Sequence, residues 1–451
     1  MQNLFFNSIS KLFITAALCV TLLSACGGGG GGTTVPLTAE QLAYNAALAT
    51  YNAAVTVADY NAAIAKFEAF IPSYPGTRVD DAKFYIARAT HELALIGLTS
   101  PFTNMPTLAQ ARTLYGVVVV TALNKSDDAQ YQIGRTYYDE LDYNNALIAF
   151  DRVLQDFKAP SAGDDAQYYI GRTKHEQALL AQIAVSPTPT AATLFTAARD
   201  AYTVLLTSPT FSLSTRRDDA QYQVGRTYYD LTTPNYTQAI TEFNKVFNIT
   251  LFTAPSVGDD ARYYLGRSKH ELALLPFPVY TLDHARAEYN SVITGYPLSN
   301  RRDDARYQIG RTFFDNLIPS AANYQLAINE FQSVLTTYCV TVIASACDNA
   351  QFFNARSIHA KAVLETAPPL LNLQPARDQY AVMNTRYPLS NRVNDAEFFS
   401  ALTFHDEKNY CGEQTAMIAY VNKYSVIESP ITAQAHLVDI AAGTGGHGTC
   451  P

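Results

Sequence analysis

Small and apolar residues recur at helical spacing within a phrase of thirteen residues that the chain repeats. One version reads DDAQYQIGRTYYD from Asp127, and another reads DDARYYLGRSKHE from Asp259. Two and six positions beyond the first Asp stand a small residue and an aliphatic residue, as in Ala129 and Ile133. Side chains four residues apart share one face of an α-helix. Each phrase therefore predicts an amphipathic helix with one buried side.

The phrase occurs in eight copies, which begin about 37 to 54 residues apart. Short copies end in Tyr-Asp or Phe-Asp, whereas long copies carry His followed by Glu or Ala and then a Pro-bearing insertion. The short copies begin at Asp127, Asp218 and Asp303, the long copies at Asp80, Asp164, Asp259 and Asp348, and the last copy at Asn394. Because long and short copies alternate, the true period is a double unit of roughly 85 to 95 residues.

A second helical pattern follows the phrase, with Ala one turn before a large aromatic residue. Short copies carry Tyr143, Ala146 and Phe150 or their equivalents. The long copies carry Ala111 with Tyr115, Ala198 with Tyr202, Ala285 with Tyr289, and Ala376 with Tyr380. Helical pairs repeated at this spacing predict an all-α fold, a right-handed α-α superhelical solenoid of helical hairpins.

Two further features of the phrase have structural interpretations. The acidic pair at its start can accept free backbone N–H groups and favours the positive end of a helix, so we expect it to act mainly as a cap.

Glycine recurs at position seven, as in Gly134, although glycine weakens a helix by about 1 kcal/mol. Its recurrence predicts close contact between helices at this position.

Positions one, four, eight and twelve of the phrase lie within roughly an 80° arc of an α-helix and form a polar stripe. In the copy from Asp127 the stripe is Asp128, Tyr131, Arg135 and Asp139. The arginines of the stripe are Arg88, Arg135, Arg172, Arg226, Arg267, Arg311 and Arg356, and five of its tyrosines are Tyr131, Tyr168, Tyr222, Tyr263 and Tyr307. Only the last copy lacks the Arg, having Leu402 instead.

The stripe has two competing interpretations. As a structural ladder, each Arg binds carboxylates on adjacent units and holds the superhelical pitch. As a binding surface, the same Arg and Tyr side chains contact an extended peptide or an acidic partner. We favour the ladder for most copies, because near-identical residues in every unit fit neighbour contacts better than recognition of one irregular ligand.

Histidines such as His91 and His270 alternate with Tyr138, so we expect them at the edge of the core rather than on a metal.

The N-terminus has the pattern of an exported lipoprotein. An apolar run that is too short to span a bilayer ends in Leu23-Ser24-Ala25-Cys26. This LSAC resembles the lipobox of bacterial lipoproteins, which implies a signal peptide at 1–25 and a lipid on Cys26. Six glycines follow, and we expect 26–38 to be a flexible tether. Gly27, rather than Asp, implies transfer to the outer membrane in the lipoproteins that this segment resembles.

Four cysteines remain beyond the proposed lipid site, and they allow two disulfides in three connectivities. We predict Cys339 with Cys347 within one loop between units, and Cys411 with Cys450 holding the C-terminal tail to the last hairpin. Zinc is the rival, but no Cys-x-x-Cys or His-x-x-x-His spacing supports it. The sequence thus predicts a solenoid over 39–425, in about eight to nine units, and a capping helix with a pinned tail over 426–451.

Composition excludes some classes of function. The net charge of −8 gives no basic surface for nucleic acid. The sequence contains no nucleophile elbow, no zinc-protease helix motif and no phosphate-binding loop. Paired acids leave a sugar-cleaving site open, although Trp, the commonest sugar-stacking residue, is absent. We expect no enzymatic activity, no cofactor and no metal.

The repeat resembles the tetratricopeptide repeat, on the evidence of Gly134, Tyr137, Ala146 and Phe150. Its YPxSxxxDDAxYxxG variant resembles bacterial envelope lipoproteins of the BamD type and periplasmic coordinators of the Tol-Pal type. The resemblance runs from about Asn52 to Val421 and implies that the stripe lines a concave groove. Eight full copies and Pro-rich insertions depart from the BamD pattern.

The sequence therefore predicts a lipid-anchored envelope scaffold that binds a protein or peptide through its groove or loops. We expect it on the outer membrane, facing the periplasm. One alternative is a subunit for β-barrel assembly or Tol-Pal-type envelope coordination. An alternative of another class is a factor that binds or processes polysaccharide or peptidoglycan.

Overall fold

The structure is a computed structural model that describes residues 37–76, 78–99, 104–122, 124–157, 161–248, 250–252, 255–340, 346–367, 370–424, 433–434 and 437–439. The predicted signal peptide, Cys26 with the glycine run, and Cys450 lie outside these residues, as does most of the predicted capping segment 426–451.

The described residues form α-helices, one short 3-10 helix at Pro209–Phe211 and no strand. The α-helices are α1 Ala39–Ala53, α2 Val57–Ser73, α3 Val79–Thr99, α4 Leu108–Thr121, α5 Ser126–Asp139, α6 Tyr143–Asp156, α7 Gly163–Ile183, α8 Ala191–Thr207, α9 Arg217–Tyr229, α10 Tyr236–Val246, α11 Gly258–Ala273, α12 Leu282–Gly295, α13 Arg302–Phe314, α14 Ala321–Thr337, α15 Cys347–Glu365, α16 Gln374–Arg386, α17 Val393–Asp406 and α18 Tyr410–Lys423.

Every copy of the phrase begins a helix, which we call the first helix of its hairpin. The first helices are α3, α5, α7, α9, α11, α13, α15 and α17, and the hairpin of α1 and α2 precedes them. The chain divides into two compact units, 1–220 and 221–451. Within each unit consecutive helices pack together, and neighbouring first helices also touch, as α5 touches α7 and α13 touches α15. The predicted all-α solenoid of helical hairpins is confirmed.

The hairpins use different signals at their two helices. Many second helices begin with a side-chain cap, and Thr107 and Thr281 form complete capping boxes. The acidic pairs, in contrast, lie inside the first turn, and the preceding cap residues such as Ala162 make no side-chain cap bond. The acids still accept free backbone groups, since Asp164 Oδ1 accepts the N–H of Asp165 at 2.9 Å. The acids therefore accept backbone N–H groups as predicted, but they do so from the first turn of the helix and not from the cap position.

Glycine at position seven lets the two helices of a hairpin approach closely. A Cβ built on Gly134 would lie 2.4 Å from the ring of Phe150, and one on Gly171 would lie 2.5 Å from the ring of Tyr202. Real Cβ atoms do not come so close, so the ring occupies the space that a side chain would need. These rings are wholly buried. The predicted close contact is confirmed.

The structure joins Cys339 to Cys347 by a disulfide, with the Cα atoms 5.8 Å apart. The bridge ties the end of α14 to the start of α15, and both cysteines are buried. Cys411 at the start of α18 is also disulfide-bonded. Because Cys450 lies outside the described residues, its pairing with Cys411 stays a prediction.

No helix in the described part of the chain combines the length and the apolar character needed to cross a membrane.

Candidate functional site

The tyrosines of the predicted stripe are buried in the array. Tyr131, Tyr168, Tyr222, Tyr263 and Tyr307 all pack at the contacts between hairpins. Arg226 Nη1 donates to the hydroxyl of Tyr222 at 3.2 Å, and Arg311 Nη1 donates to that of Tyr307 at 3.3 Å. These hydroxyls are therefore engaged by the Arg of the same helix rather than offered to a ligand.

The carboxylate that each paired Arg binds lies on its own helix. Arg226 Nη2 lies 2.9 Å from Asp230, and Arg311 Nη2 lies 2.8 Å from Asp315, four residues further along. Arg172 pairs in the same way with Glu176 at 3.4 Å. In these pairs the acid is therefore not on an adjacent unit, where the ladder hypothesis predicts it in general; for Arg226 it is Asp230, which that hypothesis also allows. Side chains at i and i+4 are nearest neighbours on a helix surface, so the local acid is the one within reach.

The arginines nevertheless reach the next hairpin, where they stack on an aromatic ring. The guanidinium carbon lies 4.3 Å from the ring centre of Tyr169 for Arg135, 4.1 Å from that of Tyr264 for Arg226, and 4.1 Å from that of Phe353 for Arg311. Arg88 instead lies 5.7 Å from Tyr51 in the preceding hairpin, and Arg267 interacts electrostatically with Tyr229 and Tyr263. The ladder thus combines cation–π contacts between hairpins with ion pairs inside helices.

Histidines and tyrosines at position eleven form a second set of contacts between hairpins. Each faces the carboxylate at position twelve of the next copy. The contacts are His91 Nε2 with Asp139 at 3.0 Å, Tyr138 Oη with Glu176 at 3.5 Å, His270 Nε2 with Asp315 at 3.4 Å, and His359 Nε2 with Asp406 at 2.7 Å. These histidines are buried, as expected, and each is paired with an acid.

The two sets of contacts meet at shared carboxylates. Asp315 accepts from Arg311 on its own helix, and its Oδ2 lies 3.4 Å from Nε2 of His270 on the preceding first helix. Burial acts to raise the pKa of Asp315, but the bond to His270 and the charge of Arg311 outweigh it and lower the pKa below its usual value. The ionised carboxylate is therefore the form that the array stabilises.

The acidic pairs connect the N-terminal ends of neighbouring first helices, whereas the contacts at position twelve lie toward the C-terminal ends. Asp127 Oδ2 accepts from the backbone N–H and the hydroxyl of Ser161, at 2.5 and 2.7 Å, just before α7. Asp165 accepts from Arg216 Nε at 2.5 Å, and Asp260 accepts from Arg301 Nε at 2.6 Å. These contacts place the start of one first helix beside the start of the next. Within each unit, neighbouring first helices are therefore parallel and in register.

Sequence reasoning missed the aromatic residue at position five, on which the arginines stack. A signal was present, because this position is Tyr169, Tyr264 and Phe353 in long copies but Gln132, Gln223 and Gln308 in short ones. In the contacts of Arg135, Arg226 and Arg311, a long copy thus supplies the ring and the preceding short copy supplies the Arg.

The turns that follow the first helices present apolar side chains to solvent. In the second unit α11, α13 and α15 are in register, so the turns after them lie along one edge. Phe277 is 94% exposed and Val279 is 84% exposed in the first of these turns. We call the set the apolar turn edge, formed by Leu275, Phe277, Val279, Leu317, Ile318 and Leu370.

In the described ranges, no group of three or more His, Cys, Asp or Glu side chains is arranged to hold a metal ion. A cavity of about 720 Å³ in the first unit is lined by Thr90, Asn104, Met105, Pro106, Gln110, Thr113 and Leu114. This lining carries no carboxylate, whereas glycosidase chemistry requires two that face each other.

Comparisons with known proteins give structural similarity alone. No protein-family model matches the chain, and no curated protein sequence matches it. The chain is similar to the C-terminal part of a TPR repeat-containing protein from Cytophaga hutchinsonii, at 13% identity and a TM-score of 0.38, covering 79% of this chain and 99% of that one. It is also similar to the TPR domain of P58(IPK), at 14% identity and a TM-score of 0.24, covering 89% of this chain and 98% of that one. Similarity at this level assigns no residue and no function.

Proposed function

We propose that the chain is a non-enzymatic scaffold of the bacterial cell envelope that binds another envelope protein. The lipobox-like LSAC supports a lipid anchor on Cys26, and Gly27 supports an outer-membrane address facing the periplasm. Stable anchoring needs at least two acyl chains, and the lipidated N-terminus of bacterial lipoproteins carries them. The resemblance of the YPxSxxxDDAxYxxG motif supports a narrower role in β-barrel assembly or Tol-Pal-type coordination.

The apolar turn edge is the observation that carries the binding role. Its side chains come from three consecutive hairpin turns, so they form a series rather than single exposed residues. The segments 274–281 and 366–373 contain no charged residue. Apolar side chains exposed in series mark interaction sites, because leaving them in water costs free energy that a partner would recover. The stripe, in contrast, uses most of its polar groups within the array.

Site-specific crosslinking in cells tests this role. A photo-reactive residue at Phe277 or Ile318 should capture one and the same envelope protein. Leu298 and Leu389 are matched controls, because they are 98% and 99% exposed but lie in the turns before α13 and α17, at the opposite edge. Equal capture at the controls, or no capture at Phe277 and Ile318, would contradict the proposal.

The identity of the captured protein separates the narrower roles. A component of the β-barrel assembly machine or of the Tol-Pal system would support coordination, and a polysaccharide exporter would support the alternative class. The anchor is tested separately by Cys26→Ser. This variant should lose palmitate labelling and leave the membrane fraction, and unchanged labelling would refute the anchor.

A further inference from the structure

Arg356 is the one arginine of the stripe that has no carboxylate four residues further along its own helix. The other six arginines are followed four residues later by Glu92, Asp139, Glu176, Asp230, Glu271 and Asp315. Ala360 stands at that place after Arg356. The same copy has Asn349 where every other copy has Asp at position one. Both acids of the stripe are thus absent from α15, while its Arg is present.

The guanidinium of Arg356 lies among aromatic rings. Its central carbon is 3.7 Å from the ring centre of Phe399, 5.7 Å from that of Phe314 and 6.0 Å from that of Phe352. The side chain is half-buried, and it makes no hydrogen bond or ion pair with any residue that the structure describes. Its N–H donors are therefore unused, although a guanidinium carries five of them.

The charged groups around Arg356 are already paired with one another. Asp395, whose charge acts on Arg356, lies 3.1 Å from Arg392, and Arg311 is held by Asp315. Burial lowers the pKa of Arg356, and the charge of Arg311 lowers it further, while Tyr380, Tyr324 and Asp395 oppose this. One positive charge thus remains unbalanced in a partly desolvated place, which is costly unless an anion joins it.

The contacts between hairpins explain the missing acid, and they explain the stacking of Arg356 on Phe399 of the next first helix. They do not supply a carboxylate for the N–H groups of Arg356 among the described residues. Phe314 stands at position eleven of the preceding copy and has no proton to donate, so a carboxylate at 360 would have no partner there. In the last copy, by comparison, Leu402 replaces the Arg altogether. The ladder does not require an unpaired guanidinium at 356.

We propose that Arg356 binds a carboxylate of the partner protein, with the aromatic rings holding the apolar group next to it. A planar guanidinium can bind a carboxylate through two parallel hydrogen bonds. Arg311 shows that a guanidinium of the stripe holds a carboxylate, because its Nη2 donates to both oxygens of Asp315 at 2.8 and 3.1 Å. Ala360 leaves the corresponding place on α15 to a ligand. This site rests on the proposed binding role and adds the chemistry that the partner must present.

A small aromatic acid serves as the probe. Calorimetric titration of the full chain with N-acetyl-L-phenylalanine should show binding, and the uncharged amide of the same compound should bind about tenfold more weakly. Arg356→Gln should weaken binding of the acid by about the same factor. Ala360→Glu should also weaken it about tenfold, because it places an internal carboxylate where the ligand would lie.

Arg311→Gln is the matched control, because its guanidinium is already occupied by Asp315. This variant should bind the probe within about twofold of the unchanged chain, and circular dichroism should show that all variants are folded. The proposal is wrong if the unchanged chain does not bind the acid, if Ala360→Glu binds as well as the unchanged chain, or if Arg311→Gln loses binding as Arg356→Gln does. Crosslinking at Phe277 does not depend on Arg356. A negative result with the probe would therefore contradict this site without contradicting the scaffold role.

Discussion

The guanidinium of Arg226 lies 4.1 Å from the ring centre of Tyr264, which belongs to the first helix of the next hairpin. Arg226 also binds Asp230 and the hydroxyl of Tyr222 on its own helix. The helix therefore orients the Arg, and the Arg in turn contacts the neighbour. Repetition of this arrangement at Arg135 and Arg311 makes the polar stripe a connection between hairpins. Repeat arrays depend on such nearest-neighbour contacts for their stability.

The contact between His359 and Asp406 can be measured by a double-mutant cycle. His359→Phe and Asp406→Ala should each destabilise the chain by about 1 kcal/mol, because each leaves a polar partner unsatisfied. The double variant should cost less than the sum, with a coupling of about 0.5 to 1.5 kcal/mol. Positions eleven and twelve also change together within the chain: Phe314 at position eleven of one copy is matched by Ala360 at position twelve of the next. Additive effects in urea denaturation would show that the contact stabilises nothing.

Asp219 predicts a pH dependence of stability. Burial, with the charge of Asp218, raises its pKa from 3.8 to about 6, although Arg216 opposes the shift. Because the pKa is raised in the folded state, the protonated carboxyl of Asp219 contributes to the free energy of unfolding. This contribution is fully present below pH 4 and is lost as the pH rises through about 6. Asp219→Asn should therefore match the unchanged chain at pH 4 and exceed it by about 1 to 2 kcal/mol above pH 7.

Asp127 provides the control of opposite sign. Burial acts to raise its pKa, but the bonds from Ser161 and neighbouring backbone N–H groups outweigh it and lower the pKa below 3.8. Its contribution is present at neutral pH and is lost in acid. Asp127→Asn should therefore destabilise the chain at pH 7, and this effect should shrink as the pH falls below 3.8. If Asp219→Asn behaves like Asp127→Asn, the assigned shift of Asp219 is wrong.

Peptide mapping without reduction tests the cysteine assignment. We expect one bridge between Cys339 and Cys347 and a second between Cys411 and Cys450. The second would close a loop of roughly 40 residues and contribute about 3 to 4 kcal/mol by restricting the unfolded chain. Cys411→Ser should therefore lower stability, whereas a free thiol at Cys450 in the unchanged chain would contradict the pairing.

The sequence predicted the fold well because each hairpin contact recurs. The acidic pair marks every first helix, and the combination of Gly134 with Phe150 or Gly171 with Tyr202 predicts that the two helices of a hairpin approach closely. Local periodicity and side-chain volume determine both features, so one sequence is enough to read them.

The partners of the stripe were harder to predict. Asp230 and a carboxylate of a neighbouring unit are equally reasonable partners for Arg226 until the register of adjacent first helices is known. The stacking on Tyr264 and the pairing of His270 with Asp315 both depend on that register. Apolar exposure at Phe277 likewise follows from the direction of a turn, which composition does not give.

Arg226→Ala is the most direct test of the central claim, that the repeated arginines connect hairpins. The change removes the contact with Tyr264 and the ion pair with the half-buried Asp230. We predict a loss of about 1 to 3 kcal/mol, measured as a lower midpoint in urea denaturation. Arg356→Ala, which breaks no ion pair among the described residues, should cost less. A midpoint for Arg226→Ala equal to that of the unchanged chain would contradict the claim and would mean that the stripe serves a ligand.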